Sequence, residues 1–324
     1  MRLESKEWTL DDLWTLPDPE MLVEGFIEEG SCKFISGPSK TGKSFFSLRL
    51  AAAVSGGTDF FGHATKQGNV LYLAAERSEL MKRRTLALVK SNIPIDKDHF
   101  KVWPSPVMFS QRDQVETFVN SLRTTPDLLI VDTLRRCNDG DERDNEHMGR
   151  WCEGIEYFRD LTGSSVLVVH HDHKAGIDKF GRKMDTSFSG AGALLGYLDG
   201  YFAVKTQNDG SVVVRNEGEN ERSDFKIYAR IHNVDISPKM STGIMVQINE
   251  SSSATKPNLA ILAIEVLGDQ ELSRKEWHRQ CVADERIVMH WPKLNASSLS
   301  TVAKEHADKI TSRKFGKEVL FSVA

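Results

Sequence analysis

The chain has 324 residues, 40% of them hydrophobic and 27% charged, with a formal net charge of −4. That length allows one large core or a core plus a satellite domain, and the near-neutral balance excludes a uniformly basic nucleic-acid binder, so any such contact must come from a local patch. No apolar run approaches the roughly 18 residues of a membrane span, and the start MRLESKEWTLDDL lacks the apolar stretch of a signal peptide, so a cytoplasmic protein with no membrane partner is expected.

From the amino end, KFIS (33–36) reads as a short apolar strand, opened by Cys32 as a small core residue. SFFSLRLAAAV (44–54) has helical spacing. NVLYLAA (69–75) is a strand, and SELMKRRTLALVKS (78–91) reads as a helix capped by Ser78. DQVETFVNSLR (113–123) is a further helix, followed by the buried strand DLLIVD (127–132). NEHMGRWCEGIEYFRDLT (145–162) is helical, with Met148, Trp151, Cys152, Ile155 and Phe158 on one face, and SVLVVH (165–170) is again a strand. Strands alternating with helices predict an α/β fold, a parallel sheet with helices on both faces. Nearly continuous apolar strands fit a sheet buried on both sides.

After residue 198 the texture changes. DGYFAVKT, SVVVRNE, FKIYARI and GIMVQINE, separated by polar turns, predict an antiparallel extension of the sheet. SSSATKP (251–257) is a linker by composition, so the expected domains are 1–250 and 258–324. Helices at about 257–268, 273–283 and 295–310, then a hairpin around Gly316, predict a small winged-helix-like domain with Trp277 and Trp291 in its core. A helical packing or oligomerisation module is the other reading of this segment. The four cysteines, Cys32, Cys137, Cys152 and Cys281, form no CxxC pair and are expected to be reduced thiols.

GPSKTGKS (37–44) matches G-x-x-x-x-G-K-[ST] between a strand and a helix, the context a P-loop requires. Gly37, Pro38, Ser39, Lys40, Thr41, Gly42, Lys43 and Ser44 then form a phosphate cradle. Its glycines let backbone N–H groups turn inward, and the helix N-terminus adds positive potential. Lys43 would reach the β- and γ-phosphates of ATP, and the Ser44 hydroxyl would join Mg²⁺. Asp132 ends an apolar strand at the edge of the sheet where nucleotide binds, which suits Mg²⁺ coordination through water. The position after it is Thr133, so the glutamate many such enzymes place there is missing. Glu76, at the tip of the preceding strand and 33 residues past Lys43, is the alternative base for the attacking water. The cluster His170, His171, Asp172 and His173 does not read as zinc, because adjacent strand residues point to opposite faces and no cysteine completes a tetrahedron.

With these features the chain resembles the RecA-like P-loop ATPases, and within them the plasmid- and phage-encoded hexameric replicative helicases and related AAA-family DNA ATPases. The resemblance covers roughly residues 20 to 250 and includes the approach LVEGFIEEGSCKFISGPSKTGKS. It implies a γ-phosphate sensor at the tip of the fourth strand, which His170 matches, with His171 next. It implies a basic finger from a neighbouring subunit, and the matching position is Lys205 rather than an arginine, with Arg215 and Arg230 on later strands. It implies that the loops after Asp132 (135–147) and after the sensor strand (173–190) face single-stranded DNA. In the second loop Lys174, Lys179, Arg182 and Lys183 accompany Phe180, the basic-plus-aromatic mix of single-strand grooves. The resemblance therefore implies an oligomeric, ring- or filament-forming ATPase that acts on DNA in replication or recombination. A non-unwinding ATP switch has the same fold. A small-molecule phosphotransferase would need an arginine-rich lid, for which GRKMD (181–185) is the sole stretch to consider.

Overall fold

The computed structural model describes residues 7–171, 194, 196–197, 199–207, 209–217, 226–238, 240–249, 259–268, 270–284, 287, 294–305, 309–315 and 318–323. The chain divides into two compact units, Met1–Ile248 and Asn249–Ala324. The linker expected at 251–257 lies outside the described residues.

The first unit opens with a five-residue helix, α1 (Leu10–Trp14), and a two-stranded hairpin of β1 (Met21–Val23) and β2 (Ile27–Glu28). Strands and helices then alternate as the sequence predicts. They are β3 (Cys32–Ser36), α2 (Lys43–Gly56), β4 (Val70–Ala74), α3 (Met81–Lys90), β5 (Phe100–Trp103), α4 (Arg112–Ser121), β6 (Leu128–Asp132), α5 (Asn145–Thr162) and β7 (Ser165–Val169). β8 (Tyr201–Thr206), β9 (Val212–Asn216), β10 (Lys226–Ser237) and β11 (Met240–Gln247) complete the unit. Among the described residues one nine-stranded sheet runs β11-β10-β9-β8-β3-β7-β6-β4-β5. From β8 to β5 all pairs are parallel, and from β8 to β11 all are antiparallel.

Three expectations change. The sequence assigns Tyr201–Thr206 to the antiparallel extension, but β8 lies parallel to β3, with Phe34 opposite Tyr201, and turns antiparallel at β9. The direction in which a strand joins its neighbour leaves no mark in its own residues. β5 has no counterpart in the sequence reading. It is an edge strand whose Lys101 and Val102 are exposed, so it carries no buried run. Ser78 does not cap α3. It starts a 3-10 turn (Ser78–Leu80) that precedes the helix.

Each face of the parallel strands has its own core. On one, Val70, Tyr72, Ala74, Leu128, Ile130, Leu167 and Val169 pack with α2 and α3. On the other, Leu71, Leu73, Leu129, Val131, Val166 and Val168 pack with α4 and α5. α2 is buried nearly all round because Ile244 and Met245 of β11 and Ile231 of β10 close over the core it belongs to. The α5 face is as expected: Met148, Trp151, Cys152, Ile155 and Phe158 are all buried. Asp144 starts that helix by accepting from the Glu146 amide at 2.9 Å, an N-cap the sequence supplies one residue before Asn145. Gly154 sits where a Cβ would come within 1.7 Å of the Phe109 carbonyl oxygen, so no other residue fits this helix against that loop.

The second unit contains α6 (Leu259–Leu267), β12 (Leu272–Ser273), α7 (Arg274–Cys281), α8 (Ala296–Glu305), β13 (Ile310–Phe315) and β14 (Glu318–Val323), with a sheet in the order β12-β14-β13. Its core gathers Leu262, Leu267, Trp277, Leu299, Ile310 and Phe321. The Trp277 indole donates to the Ala263 carbonyl at 2.8 Å, so its polar edge is satisfied inside. Trp291 lies outside the described residues. All four cysteines are free and buried, and burial pushes their thiols up to about 12, which keeps them as inert core residues. No helix among the described residues is long and apolar enough to cross a membrane.

Candidate functional site

The chain leaves β3 at Ser36 and turns at once at Gly37, whose φ is +154°. A Cβ there would stand 2.5 Å from the Val204 carbonyl oxygen of β8. The loop continues through Lys40 at φ +69° and Gly42 at φ +96° before α2 begins. The Lys43 ammonium is buried and donates to the carbonyls of Gly37 at 2.5 Å and Pro38 at 2.8 Å. The Thr41 hydroxyl also donates to Pro38, at 2.9 Å.

A cavity of about 460 Å³ opens beside this loop. The loop contributes Ser39, Lys40, Gly42, Lys43 and Ser44 to its wall. Glu76 and Arg77 come from the end of β4, Arg84 from α3, Asp132 and Thr133 from the end of β6, and His171 from the end of β7. Strand parity explains the selection. Ala74, Asp132 and Val169 are opposite one another in register. Asp132 follows Leu128 and Ile130 on the α2 side, where Ala74 and Val169 also lie. Two residues beyond Ala74 and Val169 stand Glu76 and His171, which continue on that side. The Glu76 amide also donates to the Asp132 carbonyl at 3.2 Å, which ties the two strand ends together.

Asp132 is almost fully buried, and its partners set its state. The Tyr72 hydroxyl donates to Asp132 Oδ2 at 2.6 Å, and the Ser44 hydroxyl bonds to the same carboxyl group. Burial raises the Asp132 pKa above the ordinary carboxylate value, opposed by the Tyr72 and Ser44 hydrogen bonds and the Arg84 charge. Burial, then the Asp132 charge, pushes the Tyr72 phenol well above its usual range, so Tyr72 remains a donor. His171 is shifted the other way. Burial and then the Lys43 charge lower its pKa below 6.5, with Arg135 adding to the shift and Glu76 opposing it, so the ring is mostly neutral at pH 7. Two polar atoms on this wall, Thr133 Oγ1 and His171 Nδ1, are buried without a hydrogen-bond partner. Such orphans are costly unless a ligand uses them. The donor set includes a buried ammonium, two guanidinium groups, a hydroxyl next to a carboxylate, and a second carboxylate. It is chemically suited to a polyphosphate with a hard divalent cation.

The structure thus gathers Ser39, Lys40, Gly42, Lys43, Ser44, Glu76 and Asp132, with Gly37, Pro38 and Thr41 shaping the loop behind them. His170, the residue singled out at the strand tip, does not line the cavity. It is 1% exposed and continues the opposite set, Val166 and Val168. Its neighbour His171 takes the place on the wall. Lys205 is exposed on β8, ion-paired with Glu217 at 3.0 Å, and outside the cavity. Arg215 is exposed on β9, and Arg230 pairs with Asp209 at 3.2 Å. Lys174, Lys179, Phe180, Arg182 and Lys183 lie outside the described residues, as do Asp172 and His173. Among the described residues no three His, Cys, Asp or Glu side chains form a metal-binding group.

Sequence reasoning missed Arg84. Its guanidinium lies 5.4 Å from the ring centroid of Phe45, one residue past Ser44, and its charge acts on both Asp132 and Tyr72. The signal was present as Lys82, Arg83 and Arg84, but choosing among three adjacent cations needs the phase of the helix, which the Ser78 start had displaced.

A family model described as AAA domain matches residues 1–176. No curated protein matches the chain. Among solved structures, the RadB recombinase crystal structure is similar with a TM-score of 0.45 at 14% identity, over 63% of this chain and 88% of that one.

Proposed function

The chain belongs to the AAA domain family, and from that premise we propose that it is a Mg²⁺-dependent ATPase of the RecA-like class that works on single-stranded DNA as an oligomer. The observation that carries the reading is the convergence of Lys43, Ser44, Asp132 and Glu76 on one cavity at the ends of parallel strands, where open α/β sheets bind ligands. Lys43 and the N-terminus of α2 hold the β- and γ-phosphate oxygens. Ser44 and Asp132 would hold Mg²⁺, which when bound neutralises charge on the phosphate oxygens. Tyr72 donates to Asp132 Oδ2 and holds the carboxylate beside the Ser44 hydroxyl, where the two would take up the ion. Glu76 orients the attacking water and takes its proton, and Arg84 adds charge on the same side. The γ-phosphate sensor is His171 rather than His170, since it is His171 that lines the cavity, neutral and with a free ring nitrogen. It passes the presence of the γ-phosphate to the segment that begins at Asp172, which carries the proposed DNA-binding residues Lys174, Lys179, Arg182 and Lys183. The second unit is a winged-helix-like domain.

One observation favours a non-unwinding ATP switch over a helicase. The Lys205 ammonium, at the finger position, is bound to Glu217 of its own chain, and a lysine lacks the planar fork of an arginine. Phosphate release with and without single-stranded DNA tests the common reading, and stimulation by DNA is the expected result. Strand displacement then separates the two classes. His171→Ala should remove the stimulation while leaving ATP binding in place, and stimulation equal to wild type would contradict the sensor assignment.

A further inference from the structure

The second unit carries a charged groove of about 750 Å³ that the ATPase reading leaves unused. It runs between α7, α8 and the three-stranded sheet. Arg274 and Lys275 of α7 and Lys304 of α8 stand exposed along it, and Ser273, Ser300 and Ser312 add hydroxyls. No carboxylate is among the residues described as lining it. Arg274 Nη1 donates to Ser300 Oγ at 3.2 Å, which ties one helix to the other and fixes the guanidinium on the groove. Neither Lys275 nor Lys304 has an ion-pair partner among the described residues, and Glu276, the acid of the same helical turn, is paired to Arg279 at 2.6 Å. Arg274 and Lys275 also occupy the first turn of α7, where the helix's own partial charge is positive and acids are the favoured residues. Like charge is therefore concentrated along the groove from two helices and a helix end, while the acid of that first turn, Glu276, is held by Arg279.

We propose that this groove binds the phosphate backbone of a nucleic-acid duplex without regard to sequence. Cations interleaved with hydroxyls at a helix start are the groups that contact phosphate and sugar oxygens. The aromatic residues near it, Phe321 and Trp277, are committed to the core. No exposed aromatic lines the groove among the described residues, which argues against the base-stacking mode of single-strand binding. The site is in a different unit from the ATP cavity and does not depend on hydrolysis there.

The test is fluorescence anisotropy of a labelled DNA duplex with the full chain, free of nucleotide, across a salt series. The variant is Arg274→Ala/Lys275→Ala/Lys304→Ala. All three residues are exposed, so melting temperature and ATP hydrolysis should stay at wild-type values. Duplex affinity should fall at least about 10-fold, and the slope of log K against log salt should shrink by about 2 to 3, one unit per lost phosphate contact. The charge reversal Lys304→Glu should weaken binding in the same direction and serves if the triple variant does not fold. Unchanged affinity and slope in both would overturn the proposal. So would polyglutamate competing as well as duplex, which would assign the groove to an acidic protein, or a groove-dependent preference for single strands.

Discussion

The two halves of the large sheet are built differently, and the difference separates the strands that end at the cavity from those that cover the helices. From β3 to β4 the parallel strands are buried on both faces, and they end in polar residues: the P-loop, Glu76, Asp132 and His171. The antiparallel strands β9 to β11 each combine buried residues with exposed ones and contribute apolar side chains over α2 and α3. Their charged residues pair locally, as Arg230 with Asp209, or stay exposed, as Arg215. A parallel strand buried on both sides can expose its chemistry only at its end, and all parallel ends fall on one edge. Antiparallel neighbours run in opposite directions, so their ends fall on opposite edges in turn and the ribbon has no single edge to specialise.

Asp132→Asn is the variant expected to sharpen this contrast most. Hydrolysis should fall by about 100-fold or more, the usual scale for losing a charge that stabilises the transition state. Stability should not fall with it. The folded-state pKa of Asp132 is raised, so the stability this group contributes is full below its ordinary value of 3.8 and is lost as pH rises through the folded value. At neutral pH its buried charge is a cost, and the amide should melt at the same temperature or higher. A clear drop in melting temperature would show that Asp132 is structural first.

Gly37→Ala tests the one point where the P-loop meets the β8 backbone. With a Cβ 2.5 Å from the Val204 oxygen, the loop or the strand must move, at a cost of about 1–3 kcal/mol. Thermal unfolding should register this, and ATP binding should weaken together with it. Tyr72→Phe is next in size. Removing a donor to a buried carboxylate costs about 1–3 kcal/mol, and it lifts the Asp132 pKa further. The acidic limb of the activity profile should move to higher pH, and more Mg²⁺ should be needed for half-maximal rate. An unmoved limb would mean that Tyr72 only fills space.

How far the sequence carried follows from the same contrast. The P-loop, Glu76 and Asp132 were legible because each sits at the tip of an apolar run, and those tips meet on one wall. The histidine pair was not resolved, since a strand apolar on both faces has no visible parity. Val166 to Val169 could face either way, and only pairing with β6 places His171 beside Asp132's side of the sheet. β5 escaped notice because an edge strand with exposed Lys101 and Val102 looks like a loop. β8 was placed in the wrong half because YFAVKT, apolar at its start and exposed at its end, is consistent with either pairing.

Lys205→Ala has the smallest expected effect. Its side chain is exposed and bound to Glu217, so ATP binding and stability should stay within about twofold and a few tenths of a kcal/mol of wild type. A loss of hydrolysis without loss of binding would move β8 into the chemical half by making Lys205 a finger for a neighbouring subunit.

The central claim is that the cavity at the ends of the parallel strands hydrolyses ATP with Glu76 as base. It is tested most directly by single-turnover hydrolysis in Glu76→Gln, measured with ATP binding on the same preparation. Binding at wild-type affinity with chemistry slowed about 10²- to 10⁴-fold is the result expected of a lost general base. Hydrolysis within a few-fold of wild type would contradict it.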